Sequence, residues 1–253
     1  MSIYLLTIFS PFIKNNLNFI GLSQKIINNF FDEVFTNISN ICNAKNYSQE
    51  IFGVAMTLFH YYTYLKSFRD FDRVEIAVSC VFLACKIEYT FLKVEEATDI
   101  YHRIKKGSQF MLHTGAPPQS PDFTKFEVDI LTFVGYEMDI ETPHKFFVYY
   151  LEKLCPSFLR DARVINFGFL LINDTYRSNL CIYYPAKYVA LASLFFTLLE
   201  EAAINSNGDK SVAICQSMGI NEILLCDKTI NTTNFLSCLD SLLGLYEAKF
   251  GNN

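Results

Sequence analysis

The chain has 253 residues, of which 51% are hydrophobic and 16% aromatic, so it can bury one large core or two smaller ones. A net charge of −5 and a longest basic run of only two residues, Lys105-Lys106, argue against nucleic-acid binding as its main task. Since no stretch reaches the roughly 18 uninterrupted apolar residues of a membrane span, no membrane partner is expected.

Residues 1–22 begin with the apolar stretch MSIYLLTIFSPFI, which is similar to the hydrophobic part of a secretory signal. The stretch has no basic beginning, is interrupted by Pro11 and has no small-residue cleavage site. We therefore predict an N-terminal helix that docks on the core.

Helical periodicity runs through nearly all of the remaining chain, and strand signals are sparse. Ser23, Ser48 and Thr90 are predicted to cap the N-termini of three of the helices. Two irregular segments, 105–122 and 204–222, are predicted to be loops, because Pro, Gly, Ser and Asn interrupt the helical pattern there. The predicted helices are 23–42, 48–65, 73–88, 93–104, 123–134, 143–154, 161–178, 185–203 and 231–248.

A faint internal repeat divides the chain. VEIAVSCVFLAC (74–85) aligns with KYVALASLFFTL (187–198), and Ala77 falls on Ala190. Small residues near the middle of an apolar helix allow neighbouring helices to approach closely, as expected of a central helix. We therefore predict an all-α fold of two tandem five-helix bundles. The predicted organisation is an N-terminal segment (1–22), a first bundle (23–141) and a second bundle (142–253).

The eight cysteines include no CxxC pair and no Cys/His spacing suited to zinc. Free cysteines within apolar helical patterns behave as small hydrophobic residues. We predict reduced thiols in a cytosolic or nuclear protein, and no metal site.

Catalytic motifs are missing from the sequence: it has no Gly-rich phosphate loop, no GxSxG and no HExxH. His60 lies in an apolar run and is predicted to be a packing residue. Asn173-Asp174 superficially resembles a metal motif of isoprenoid cyclases, but the positions that should hold a hydroxyl and a second acid are Arg177 and Cys181. We therefore expect no catalytic residue and no cofactor.

The stretch SCVFLACKIEYTF (79–91) ends an apolar helix in a charge, Lys86, where the helix dipole favours a cation. In a compact bundle, Glu127 of the helix 123–134 can lie beside it. Such charges bordering an apolar groove can bind the backbone of a docked segment. The alternative is that Lys86 simply extends its charged end to solvent and Glu127 lies on a solvated face. The predicted floor of the groove is Leu83, Ile87, Leu131, Tyr136 and Met138.

Two stretches, FLACKIE (82–88) and ILTFVGYEMDIETPHKFF (130–147), resemble the signatures of the cyclin box. Three other segments resemble the transcriptional cyclins of the T and K type more than the cell-cycle cyclins: FHYYTYLKSF (59–68), LINDTYRSNLCIYYPAKYVALAS (171–193) and the loop at 105–122. The resemblance covers about residues 20–250 and implies two tandem cyclin boxes. This sequence departs from the signature at Tyr89, where cyclins have a second glutamate, and at Phe91, where they have a proline.

For the candidate groove, the resemblance implies that Lys86 and Glu127 bind a cyclin-dependent kinase beside its mobile C-helix. The five floor residues would pack against that helix. The implied protein is a non-catalytic subunit that activates a transcriptional kinase in a nuclear heterodimer, with phosphorylation of the RNA polymerase II tail and control of transcription elongation as its output. It would bind no nucleic acid directly.

Two alternatives remain at this point. A cell-cycle cyclin that activates a cell-division kinase should have a destruction box or a substrate-docking patch, and neither is recognisable. A TFIIB-type transcription factor also has two cyclin folds, but it needs a basic surface and usually a zinc ribbon.

Overall fold

The computed structural model describes residues 24–65, 72–109, 121–134, 136, 138–178, 180–204 and 227–250. These residues contain no β-strand, and the prediction of an all-α fold with two tandem helical bundles is confirmed. The chain forms two compact units, Met1–Ile140 and Glu141–Asn253. The first contains α1 (Gln24–Lys45), α2 (Gln49–Leu65), α3 (Arg73–Ile87), α4 (Val94–Gln109) and α5 (Phe123–Val134). The second contains α6 (Pro143–Leu154), a 3-10 turn (Pro156–Phe158), α7 (Ala162–Thr175), α8 (Leu180–Tyr183), α9 (Ala186–Ile204) and α10 (Thr232–Phe250).

The central helix of the first unit is α3, which packs against α1, α2, α4 and α5. Every residue from 76 to 85 is buried, and Ala77 and Ala84 let neighbouring helices approach closely. Asp72 caps the N-terminus of α3 by accepting a hydrogen bond from the Val74 N–H at 3.0 Å. The same carboxylate accepts from the Tyr101 hydroxyl at 3.0 Å, so it also ties α4 to the beginning of α3.

The second unit has its own central helix, α9, which packs against α6, α7, α8 and α10. Ala190 is fully buried, as Ala77 is at the aligned position of α3. Gly168 of α7 lies directly against the buried ring of Phe147 on α6. Each unit therefore has a core built around one apolar helix of its own.

Several local predictions are wrong. Thr90 does not cap α4, which begins only at Val94; its N–H bonds the Cys85 carbonyl at 2.8 Å and closes the end of α3. Residues 105–109 are helical rather than part of a loop, because α4 continues to Gln109. Pro156–Phe158 and Leu180–Tyr183 form short helical elements that the sequence pattern does not predict.

Other predictions fall outside the described residues: the N-terminal segment, the Ser23 cap, and most of the two predicted loops (110–120 and 205–222). By contrast, Ser48 accepts a hydrogen bond from the Ile51 N–H at 3.4 Å, as an N-cap residue should.

The cysteines that the structure describes are all free thiols, and five of these six are buried. Burial raises the pKa of Cys42 to about 12 and that of Cys85 to about 11, so both stay uncharged at neutral pH. No group of side chains in the described part of the chain could hold a metal ion. None of the described helices is both long and apolar enough to cross a membrane.

The residues considered for catalysis have packing roles. His60 is buried, and its ring packs against the rings of Phe31 and Phe59, which also contact each other. Asn173 Oδ1 lies 2.9 Å from His144 Nε2. Asp174 accepts hydrogen bonds from Arg177 Nε at 3.3 Å and from the hydroxyl of Tyr246 at 3.2 Å. The side chains of the Asn173-Asp174 pair therefore hold the second unit together.

Asp227 joins three parts of the second unit. Its carboxylate accepts hydrogen bonds from the Tyr150 hydroxyl of α6 at 2.8 Å and from the Thr229 hydroxyl at 2.6 Å. The Lys187 ammonium of α9 donates to the Thr229 carbonyl at 3.1 Å. Burial alone would raise the pKa of Asp227, but the bonds from Thr229 and Tyr150 outweigh it and lower the pKa below its usual value.

We expect this network to make the stability of the second unit depend on pH. A carboxylate whose pKa is lower in the folded state stabilises the fold above its unfolded pKa of about 4, and that stabilisation is lost as the pH falls through the folded value. Asp227→Asn should therefore lower the melting temperature at pH 7, and the difference from the parent protein should shrink towards pH 3. Thermal unfolding followed by circular dichroism measures both. Asp240→Asn, at an exposed position of α10, is the control. A destabilisation by Asp227→Asn that is equally large at both pH values would contradict the prediction.

Candidate functional site

The two predicted charges meet on one edge of the first unit. Lys86 lies in the last turn of α3 and Glu127 in the second turn of α5. Lys86 Nζ lies 2.7 Å from Glu127 Oε2, and the two side chains are 46% and 24% exposed. An ion pair this exposed contributes only about 0–1 kcal/mol to folding, so stability alone gives little reason for it.

Phe82 supports this pair but is absent from the site residues that the sequence predicts. Lys86 Nζ lies 4.5 Å from the centre of the Phe82 ring, within cation–π distance. The ring in turn packs against Phe123 of α5, with 5.4 Å between the ring centres. A signal was available in the sequence, because residues four apart on a helix lie on the same face.

The predicted floor residues differ in what they offer to a partner. Leu83 is only 3% exposed, so it supports the surface from below. Ile87, Leu131 and Met138 are half-buried. Tyr136 is 70% exposed, and its backbone lies in the left-handed region with φ 63°. Its N–H bonds the Leu131 carbonyl at 2.9 Å, which closes the end of α5 and fixes the backbone that carries the ring.

The end of α3 is closed by a Schellman motif, in which two backbone N–H groups bond back to carbonyls of the last turn. The Thr90 N–H donates to the Cys85 carbonyl at 2.8 Å, and the Tyr89 N–H donates to the Lys86 carbonyl at 3.3 Å. Tyr89 takes the left-handed position of the motif, with φ 51°. This motif sets the place where α3 stops, and so the position of Lys86 at the edge of the unit.

An ion pair links the end of α1 to the beginning of α4. Lys45, the last residue of α1, forms an ion pair with Glu96 in the first turn of α4. The connection from α3 to α4 is therefore bounded on one side by the Schellman motif and on the other by an ion pair. The arrangement offers a partner an exposed charge pair beside partly exposed apolar side chains.

Chains from two solved complexes have folds similar to the fold of this chain. A chain of the yeast RNA Pol II CTD kinase CTDK-1 complex matches with a TM-score of 0.59 and 16% identity, over 85% of this chain and 69% of that one. A chain of the yeast TFIIK complex matches with a TM-score of 0.58 and 15% identity, over 87% of this chain and 84% of that one. At such identities, the likeness shows a shared fold only.

Cyclins of the L type are among the similar sequences. Cyclin-L1-1 of Arabidopsis thaliana is 27% identical over 155 residues, which is 58% of this chain and 36% of that protein. Cyclin-L2 of Homo sapiens is 24% identical over 154 residues, which is 58% of this chain and 29% of that protein. The chain thus spans about a third of the length of these relatives.

A family model supplies the remaining observation. The model described as the cyclin N-terminal domain matches residues 13–139, about half of the chain and nearly all of the first unit. The matched range includes α3, α5 and the charge pair between them. The chain belongs to the cyclin family.

Proposed function

We propose that this cyclin is a non-catalytic regulatory subunit that binds and activates a cyclin-dependent kinase of the transcriptional type. The observation that carries the proposal is the exposed Lys86–Glu127 pair, which lies on the family's box at the positions where the sequence resemblance implies kinase contact. The fold of chains in the yeast CTDK-1 and TFIIK complexes is consistent with it. The proposed output is phosphorylation of the RNA polymerase II tail in the nucleus, and through it control of transcription elongation.

The proposed mechanism is positional. Kinase activity requires the C-helix glutamate to pair with the strand lysine, so a subunit that holds the C-helix inward shifts the kinase towards its active state. Lys86 can donate to backbone carbonyls at one end of a docked helix, and Glu127 can accept from N–H groups. Ile87 directly follows Lys86, and Leu131 lies one helical turn after Glu127, so both supply partly exposed apolar area near the charges. Tyr136, just beyond the end of α5, adds an exposed ring.

Reconstitution tests this function. The tagged chain is purified from the cells that produce it, and a co-purifying kinase is identified by mass spectrometry and then made separately. We expect the cyclin alone to be inactive, the kinase alone to be weakly active, and the mixture to phosphorylate an RNA polymerase II tail peptide strongly. Phosphotransfer by the purified cyclin alone, or recovery of no cyclin-dependent kinase, would refute the proposal. A complex that prefers a histone H1 peptide to the tail peptide would identify the protein as a cell-cycle cyclin instead.

A further inference from the structure

Two aromatic side chains project from the turn that follows α3. Tyr89 is 99% exposed and Phe91 is 80% exposed, which makes them the most exposed large apolar residues that the structure describes. Val94, at the beginning of α4, is exposed as well. We call residues 89–91 the aromatic turn. Two nearly fully hydrated rings within three residues of the chain expose apolar area that a bound partner could remove from water.

The backbone of the aromatic turn is fixed before any partner binds. The Schellman motif places Tyr89 in the left-handed region, a conformation that glycine adopts readily and tyrosine only at an energetic cost. The fold thus holds an aromatic residue where a glycine would be easier to accommodate. A contact surface that is already ordered loses less conformational entropy on binding.

The aromatic turn is continuous with the charge pair. Tyr89 is three residues beyond Lys86, and its N–H bonds the Lys86 carbonyl, so both residues belong to one closed helix end. A partner that contacts the Lys86–Glu127 pair therefore meets the aromatic turn at the edge of the same footprint. Aromatic residues at such positions are enriched among those that contribute most to binding.

We propose that the aromatic turn is a second anchor of the kinase interface and inserts into an apolar pocket of the kinase subunit, next to the segment that Lys86 and Glu127 bind. This inference rests on the proposed function. The cyclin signature has a glutamate at position 89 and a proline at position 91. A glutamate binds best to a basic or hydrogen-bonding surface of the partner, whereas two aromatic rings bind best to an apolar surface. The aromatic turn therefore selects a kinase whose surface is apolar at this point.

The test uses the recombinant kinase identified by co-purification as the probe. The double variant Tyr89→Asn/Phe91→Ser removes both rings, and asparagine tolerates the left-handed backbone. We expect its dissociation constant, measured by calorimetry, to rise about 10- to 100-fold, while its melting temperature stays the same or rises slightly because asparagine adopts this backbone more easily than tyrosine. Ile26→Ser is the matched control, because Ile26 is also an exposed apolar residue (45%) but lies at the other end of the unit, in the first turn of α1.

A second variant shows whether Tyr89 contributes to kinase binding or is only a substitution that the interface tolerates. Tyr89→Glu restores the residue of the cyclin signature, and Tyr89→Asn alone is its matched single variant. We expect Tyr89→Glu to weaken binding at least as much as Tyr89→Asn. Binding by Tyr89→Glu or by the double variant that equals that of the parent protein overturns the inference and leaves the proposed function standing. If the parent protein itself binds no cyclin-dependent kinase, the proposed function and this inference are both wrong.

Discussion

Lys86→Ala should raise the dissociation constant of the kinase complex by roughly 30- to 1000-fold, and Glu127→Ala should do the same. Loss of one charge leaves polar groups of the partner unpaired in a desolvated interface, and it also leaves the other charge without its neighbour at 2.7 Å. The free protein should melt within a few degrees of the parent protein, because an ion pair this exposed contributes little to folding. Calorimetric titration with the kinase and thermal unfolding provide the two measurements.

A matched control lies on the same helix. Arg73, in the first turn of α3, pairs with Glu33 of α1 and lies 5.6 Å from the centre of the Phe30 ring, so it repeats the chemistry of Lys86 at the opposite end. Arg73→Ala should leave kinase binding unchanged. If Arg73→Ala and Lys86→Ala bind the kinase equally well, Lys86 is only a solvated residue at a helix end.

A charge exchange separates pairing within the cyclin from contact with the kinase. The double variant Lys86→Glu/Glu127→Lys can rebuild an ion pair inside the cyclin, but it presents each charge at the wrong position. We expect its affinity to stay as low as that of the single variants. Recovery of the parent affinity would show that the pair acts only by holding α3 against α5.

Gly168→Ala should destabilise the second unit by about 1–3 kcal/mol, even though alanine normally stabilises a helix relative to glycine by about 0.5–1 kcal/mol. A Cβ atom at this position would lie 2.0 Å from Cζ of Phe147, far inside van der Waals contact. The Phe147 ring is fully buried and packs against Phe169, so it cannot simply turn towards solvent. Thermal unfolding should show a fall of several degrees in the melting temperature.

Two further variants test the steric cause. Gly244→Ala on α10 is the control, because a Cβ atom there meets nothing within 4 Å, and it should be neutral or stabilising. Phe147→Leu costs stability by itself, but it should remove most of the additional cost of Gly168→Ala when the two are combined. Strictly additive losses in the double variant would exclude the contact with Phe147 as the cause.

The helices are largely predictable from sequence because their apolar residues recur with the period of a helix, and the errors occur where tertiary contacts decide. Thr90 has the chemistry of an N-cap, but the end of α3 uses its N–H instead. The sequence pattern predicts a loop from Lys105 onwards, yet Lys105 pairs with Asp72 at 2.6 Å, and α4 continues through Gly107. Helix propensity predicts the ends of helices poorly where such tertiary contacts outweigh it.

The candidate site was less accessible to sequence reasoning. Lys86 and Glu127 are 41 residues apart, and helical periodicity alone does not show that they meet. The resemblance to cyclins is what identifies both residues as contacts of a kinase. The backbone of Tyr89 was not predictable, because a left-handed helix end normally takes glycine. The sequence shows that Tyr89 and Phe91 differ from the residues of the cyclin signature, but only the structure shows that both rings are exposed.

The two central helices, α3 and α9, have a consequence for hydrogen exchange. Their backbone amides lie deepest in separate cores, so those of α3 should exchange only when the first unit opens, and those of α9 only when the second does. The chain then has two groups of slowly exchanging amides, and each group reports the free energy of opening of its own unit. A partner bound at the edge of α3 would slow exchange of the α3 amides by mass action, and the amides of α9 give a separate measurement for the second unit.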